Sequence, residues 1–244
     1  MKNRWTMQNW NKSLALVMLG AGLGVLGTMR LVGDRSTTEI PAPKVQPDTP
    51  KRLNFDLLLQ GDPTLGRQDA PVTIVEFSDY QCLYCRLFQQ TVFPELKRKF
   101  IDKGLVRFVH KDLPLPYHPQ AESSAAVARC AEHQNAFWTV HDALYTEQNC
   151  LSCKGAASIG ISAGLNEQQL QRCLQDSKTT EAVRSNKSEA ELHGIRSTPT
   201  FVIGPTIDTT RHRGTIVEGV LPWPNFRALI QAELKTIKSN ITDE

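Results

Sequence analysis

The stretch Ala70-Pro71-Val72-Thr73-Ile74-Val75-Glu76-Phe77-Ser78-Asp79-Tyr80-Gln81-Cys82-Leu83-Tyr84-Cys85 joins an apolar run to a pair of thiols. Val72 to Phe77 is short, β-branched and apolar, and Ser78-Asp79 follows it, which predicts a buried strand. From Leu83 to Phe100, apolar residues recur at helical spacing (Leu83, Leu87, Phe88, Val92, Leu96, Phe100), with Pro94 expected to kink the run. The two cysteines therefore stand where a strand hands over to a helix. A helix N-terminus carries partial positive charge and unpaired N–H groups. Both favour thiolate, so Cys82 is expected to titrate below the free value of ~8.5 and to act as nucleophile. Cys85, one turn further on, is placed to close a disulfide with it. The competing reading of a CxxC is half of a zinc site. A second pair does exist, Cys150-Leu151-Ser152-Cys153. It is remote in sequence and falls in a predicted polar loop, so the redox reading is preferred. His110, His118, His133, His141, His193 and His212 show no ligand spacing, and neither a metal nor a cofactor is expected.

Outward from this junction, Leu105 to His110 alternates and predicts the next strand, completing β-α-β. Helical patterns follow at Pro119 to His133, Asn135 to Gln148, Ala156 to Ala163, Glu167 to Gln175 and Thr179 to Leu192. Strand signals return at Thr200 to Ile203 and Gly214 to Gly219, and a closing helix is predicted from Pro224 to Ile237. The fold class is α/β, with the order β-α-β, a helical insertion at about 113–193, then β-β-α. Glu76 interrupts an apolar strand, and alternation alone points it either inward or outward.

The chain has 244 residues, of which 40% are hydrophobic, enough for one ordinary domain with appendages. A net charge of +3, spread along the chain, gives no reason to expect nucleic acid. Lys2, Arg4 and Lys12 precede an uncharged stretch from Leu14 to Met29, with Trp5 and Trp10 at its edge. Residues 1–33 are accordingly read as a signal-anchor or signal peptide. An uncleaved anchor over 13–33 is preferred, with the body exported. Pro41, Pro43, Pro47 and Pro50 mark a linker over 34–52, and the folded domain is expected over 53–244. The expected location is extracytoplasmic, in a periplasm or cell envelope, tethered to the cytoplasmic membrane.

Further residues carry a resemblance. They are Gly61-Asp62-Pro63, Leu65-Gly66, the stretch Ala70 to Asp79, Lys111-Asp112-Leu113-Pro114, Phe137-Trp138 with His141-Asp142, and Gly194 with Ser197-Thr198-Pro199-Thr200-Phe201. With Cys82 and Cys85, they make the region from Asn54 to Lys238 similar to the DsbA-like branch of the thioredoxin superfamily. The resemblance implies a thioredoxin fold carrying an inserted helical domain, and thiol:disulfide oxidoreductase activity at Cys82 and Cys85. It implies a cis Thr198–Pro199 bond beside the disulfide, where the client strand is held, and a buried Glu76 that relays the Cys85 proton. It implies a Cys130–Cys173 staple and a Cys150–Cys153 pair, although six cysteines leave other connectivities open. The implied partners are reduced client proteins and a quinone-linked membrane reoxidase, DsbB-like or vitamin K epoxide reductase-like, around a monomer.

One departure stands between the cysteines. Strong oxidants of the branch carry Pro-His there, whereas this chain carries Leu83-Tyr84. A tyrosine offers thiolate no charged partner, so a weaker oxidant is expected. Oxidase is the preferred direction, with reductase or isomerase as the alternative. A non-catalytic, membrane-tethered binding module is a further class, against which the intact CxxC speaks.

Overall fold

A computed structural model of the chain describes residues 51–242. The expected membrane or signal segment, and all of the linker except its last two residues, lie outside the described residues. Among the described residues no helix is long and apolar enough to cross a membrane.

Strands run in chain order as β1 (Leu57–Leu58), β2 (Thr64–Leu65), β3 (Val72–Ser78), β4 (Val106–Asp112), β5 (Thr200–Pro205), β6 (Arg211–His212) and β7 (Thr215–Glu218). Helices are α1 (Leu83–Thr91), α2 (Phe93–Leu96), α3 (Ala121–Glu132), α4 (Phe137–Thr146), α5 (Leu151–Lys154), α6 (Ala156–Ser162), α7 (Glu167–Leu174), α8 (Ser177–Leu192) and α9 (Trp223–Thr242). The main sheet has the order β2-β4-β3-β5-β7. At its centre β3 lies parallel to β4 and antiparallel to β5. Helices α3 to α8 intervene between β4 and β5, where the insertion was expected.

Central position explains the burial of these strands. Every residue of β3 and of β4 is buried, as expected for strands covered on both faces. The alternation seen in Leu105 to His110 therefore does not mark a half-exposed strand. Arg107, His110, Lys111 and Asp112 are all buried. On one face, Val72 and Ile74 pack with Phe88 of α1, Phe108, Phe201 and Phe226 of α9. On the other, Val75 and Phe77 pack with Leu57, Leu59, Ala190 and Ile195. Glu76 falls in register with Val72 and Ile74, on the α1 face.

The long helix expected after Cys82 is divided. Helix α1 stops at Thr91, α2 holds Pro94 in its first turn, and Lys97–Ile101 continues as a π-helical turn. Proline has no N–H to donate and clashes with the preceding turn, so the break comes where it does. The pairs β1–β6 and β2–β4 were not expected. Two-residue strands leave no periodicity to read. The folded body also begins slightly early: Ile216 N–H donates to the Lys51 carbonyl and Arg52 bridges Thr215.

The insertion is stapled from within. A disulfide joins Cys130 of α3 to Cys173 of α7, with Cα atoms 5.7 Å apart. Cys150 and Cys153 are joined to each other. Their segment is not the polar loop expected. Gln148–Cys150 is a 3₁₀ turn that runs into α5. Burial of Gln148 and Leu151 gives the reason, since Leu151 packs in the same cluster as Tyr80, Cys82 and Cys85.

A buried ionic network ties β4 to the insertion. Lys111 Nζ bridges Asp62 and Glu189. Arg129 Nε reaches Asp112 at 2.6 Å, and its Nη2 reaches Asp62 at 2.8 Å and Asn186 at 2.7 Å. Burial alone would raise the Asp112 carboxyl, but Arg129 and His110 outweigh it and hold the group down at about 2.

Candidate active site

The turn before α1 is shaped by the buried Asp79. Its carbonyl accepts from Cys82 N–H at 3.0 Å. Its carboxylate accepts from Gln81 N–H at 2.7 Å and Leu115 N–H at 2.8 Å, and pairs with His118 Nδ1 at 2.8 Å. Cys82 then occupies the N-cap with extended backbone angles, and the helix starts at Leu83. From α4's side, the Gln148 amide donates to the carbonyls of Tyr80 at 2.7 Å and Cys82 at 2.9 Å.

Both sulfurs are thiols in this structure, and they are not equivalent. Cys82 is 6% exposed, whereas Cys85 is fully buried. The Cys82 thiol donates to the Thr198 carbonyl at 3.2 Å, and the Thr198–Pro199 peptide bond is cis. A hydrogen bond from the Cys85 thiol does most to lower Cys82, to about 6. Burial opposes it, while Thr198 and the N–H groups of Cys85 and Tyr84 add to it. Cys85 is pushed well up by burial, by its bond to Cys82 and by the charges of Cys82 and Glu76. Around neutral pH these shifts favour thiolate at Cys82 and keep the proton on Cys85.

Glu76 is fully buried. It accepts from Ser78 Oγ at 3.0 Å and from the Gln89 amide at 3.2 Å, and Ser78 Oγ also bonds the Tyr145 hydroxyl at 2.7 Å. Burial raises its carboxyl to about 8, against the Ser78 bond and helped by the Cys82 charge. Ser78, Tyr145 and Gln148 did not stand out as site residues in the sequence. Ser78 adjoins the motif, but Tyr145 and Gln148 come from the insertion and carry no local signal.

The histidines are not all scattered. One ring nitrogen each of His110 and His141 lies with a Glu76 carboxylate oxygen in a buried cluster, within 4.8 Å of one another. No ligand spacing in the sequence pointed to this grouping. His118 serves the Asp79 turn, and His212 is buried against the Val202 carbonyl.

The thioredoxin family model matches residues 59–217. The chain belongs to the thioredoxin family. Disulfide bond formation protein D of Bacillus subtilis is 27% identical over 186 residues, covering 72% of this chain and 79% of that protein. Na(+)/H(+) antiporter NhaA 3 of Salinispora tropica is 30% identical over 165 residues, 66% of this chain, and the chain spans only 24% of that protein's length. Among solved structures, α-DsbA1 of Wolbachia pipientis superposes with a TM-score of 0.67 at 24% identity, covering 76% of this chain and 96% of that one. The thioredoxin-family chain is a DsbA-like thiol:disulfide oxidoreductase.

In this DsbA-like protein Glu76 links the site to stability. Its folded-state carboxyl titrates near 8, against an ordinary value of 4.5. The folded chain therefore keeps a proton that the unfolded chain has released. The stability this group contributes is complete below pH ~4.5 and is lost as pH rises through ~8, at about 1.4 kcal/mol per pH unit. Glu76→Gln is expected to flatten the fall in stability between pH 5 and 8, with the cysteine pair reduced. Urea midpoints across that range measure it. Parallel profiles for the two proteins would refute the assignment of this slope to Glu76.

Proposed function

We propose that this oxidoreductase is an exported disulfide-forming oxidase acting on reduced proteins outside the cytoplasm. A client thiolate attacks Cys82 Sγ, the Cys82–Cys85 bond breaks, and Cys85 leaves as thiolate and takes a proton. A second client thiolate then attacks the client sulfur of the mixed disulfide, releasing the client disulfide and the Cys82 thiolate. The observation that carries the oxidase direction is the stabilised Cys82 thiolate, at about 6. Against an ordinary thiol of ~8.5, it favours the reduced pair by about 1.4 kcal/mol at pH 7, or ~30 mV. That stabilisation works in the oxidising direction, as an oxidase needs.

Surface and sequence support the rest of the reading. Leu83, Tyr84, Leu87 and Tyr117 are exposed, and the first three flank the sulfurs in sequence, offering an apolar surface to unfolded clients. Glu76 supplies the proton that Cys85 takes up. The Thr198 backbone beside Cys82 suits pairing with an extended client segment. The basic residues ahead of an apolar stretch support a membrane tether over 13–33, and the cycle calls for a quinone-linked membrane reoxidase. Equilibration with glutathione buffers tests the direction. A potential above about −270 mV, with stoichiometric oxidation of a reduced unfolded client, is the expected result. A potential at or below that value would make the protein a reductase.

A further inference from the structure

The sulfur chemistry moves one proton at Cys85 in each half of the cycle, yet nothing buried as deeply as Cys85 and Glu76 meets solvent directly. Ser78 Oγ links the Glu76 carboxyl toward this site, and beyond Glu76 there are three ways on. Gln89 contacts Glu76 through an amide donor, which does not titrate. His110 leads inward: its Nε2 meets Asp112 at 3.3 Å, and Asp112 is locked to Arg129 at 2.6 Å. His141 leads out. Its ring is fully buried, and its Nδ1 is 2.9 Å from Asp142 Oδ1, on a side chain that is 68% exposed. Its Nε2 is buried and has no partner among the described residues.

We propose that His141 passes the Cys85 proton between the buried Glu76 carboxyl and solvent at Asp142. The proposal rests on the reading that Glu76 exchanges a proton with Cys85. His141 is then a positioning residue for that proton, one step removed from the sulfur. With no hydrogen-bond partner at Nε2, the cluster spacing, within 4.8 Å, is the span of one bridging water.

The proton count closes over a full cycle. During client oxidation the Cys85 thiolate takes the Glu76 proton. Glu76 refills from His141 Nε2–H, and Nδ1 takes a proton from solvent at Asp142. The ring is left as its Nδ1–H tautomer. During reoxidation Cys85 gives up its proton, the three transfers reverse, and the Nε2–H tautomer returns. No ring rotation is needed. The groups facing the ring are Glu76 from β3, His110 and Asp112 from β4, Tyr80 ahead of α1, and Tyr145 and Asp142 on α4 itself. Burial, the largest influence, lowers the imidazole to about 4. It is therefore neutral at physiological pH, as tautomer exchange requires.

The test isolates the proton step. Cys82 is first charged with glutathione as a mixed disulfide, and release of glutathione by Cys85 is followed from pH 5 to 9. His141→Gln is expected to slow release by about 10–100-fold at pH 7 and to change the pH profile, at or below the lower end of the ~10²–10⁴-fold range for general acid–base groups because the ring acts one step away from the sulfur. Asp142→Asn is expected to slow it several-fold. The reduction potential stays where it was, because a relay alters neither end state. Release at the unmutated rate and profile in His141→Gln overturns the proposal, and so does an equal disturbance of the potential, which marks a packing role. Should His141→Gln not fold, Asp142→Asn decides on the same two readouts. Failure of the unmutated protein to form the mixed disulfide would instead strike the redox reading itself. Glu76→Gln releasing at full rate would strike the Glu76 reading.

Discussion

Cys82→Ala is expected to abolish exchange with client thiols, and Cys85→Ala to arrest it one step later with the client held on Cys82. This outcome follows from the asymmetry of the two sulfurs. Cys82 lies at the helix N-cap beside Thr198, slightly exposed and titrating near 6. Cys85 is fully buried and pushed up by burial. With Cys85 gone, no intramolecular thiol remains to resolve a mixed disulfide, so adducts persist. With Cys82 gone, Cys85 is a shielded thiol with a high pKa and few clients reach it. A nonreducing gel of cells expressing each variant, probed for this chain, reads both results. Equal adduct levels in the two variants would show that the roles are wrongly divided.

Asp62→Ala is expected to destabilise the fold by about 3–5 kcal/mol, the range for removing one member of a buried ion pair. Asp62 holds two cations at once, Lys111 Nζ and Arg129 Nη2, and its side chain is only 5% exposed. Its loss leaves both cations buried, with Glu189 still beside Lys111 and Asp112 beside Arg129. At ~2–4 °C per kcal/mol for a body of this size, the midpoint should fall by roughly 10 °C. Asp69→Ala breaks the Arg67–Asp69 pair, where both side chains are 69% exposed, and should not move the midpoint measurably. Indistinguishable melting curves for the two variants would remove the network from the list of what holds β4 to the insertion.

The sequence made some of this legible and hid the rest for identifiable reasons. Elements of the thioredoxin core could be read because their signals are local. Val72 to Phe77 is an apolar run of strand length, and Leu83, Leu87, Phe88 and Val92 recur at helical spacing. The five long helices of the insertion read equally well. Two-residue strands such as Thr64–Leu65 exist only through their partners and show no pattern of their own. The Cys150–Cys153 segment was misread because a three-residue turn followed by a four-residue helix leaves no helical periodicity to read. The Gln148 amide in fact bonds two carbonyls near Cys82, a contact spanning more than sixty residues. The meeting of His110 and His141 was hidden for the same reason. One comes from β4 and the other from α4 inside the insertion, and only folding brings them to Glu76.

The Cys130–Cys173 bond closes a loop of 43 residues in sequence separation. A cross-link of that span is worth about 4 kcal/mol of chain entropy. That increment exists only where thiols are oxidised. In a reducing compartment the insertion lacks its clasp, and the chain is that much easier to keep unfolded. In an oxidising one the same residues lock it. Native stability thus doubles as a record of the redox compartment the chain has entered.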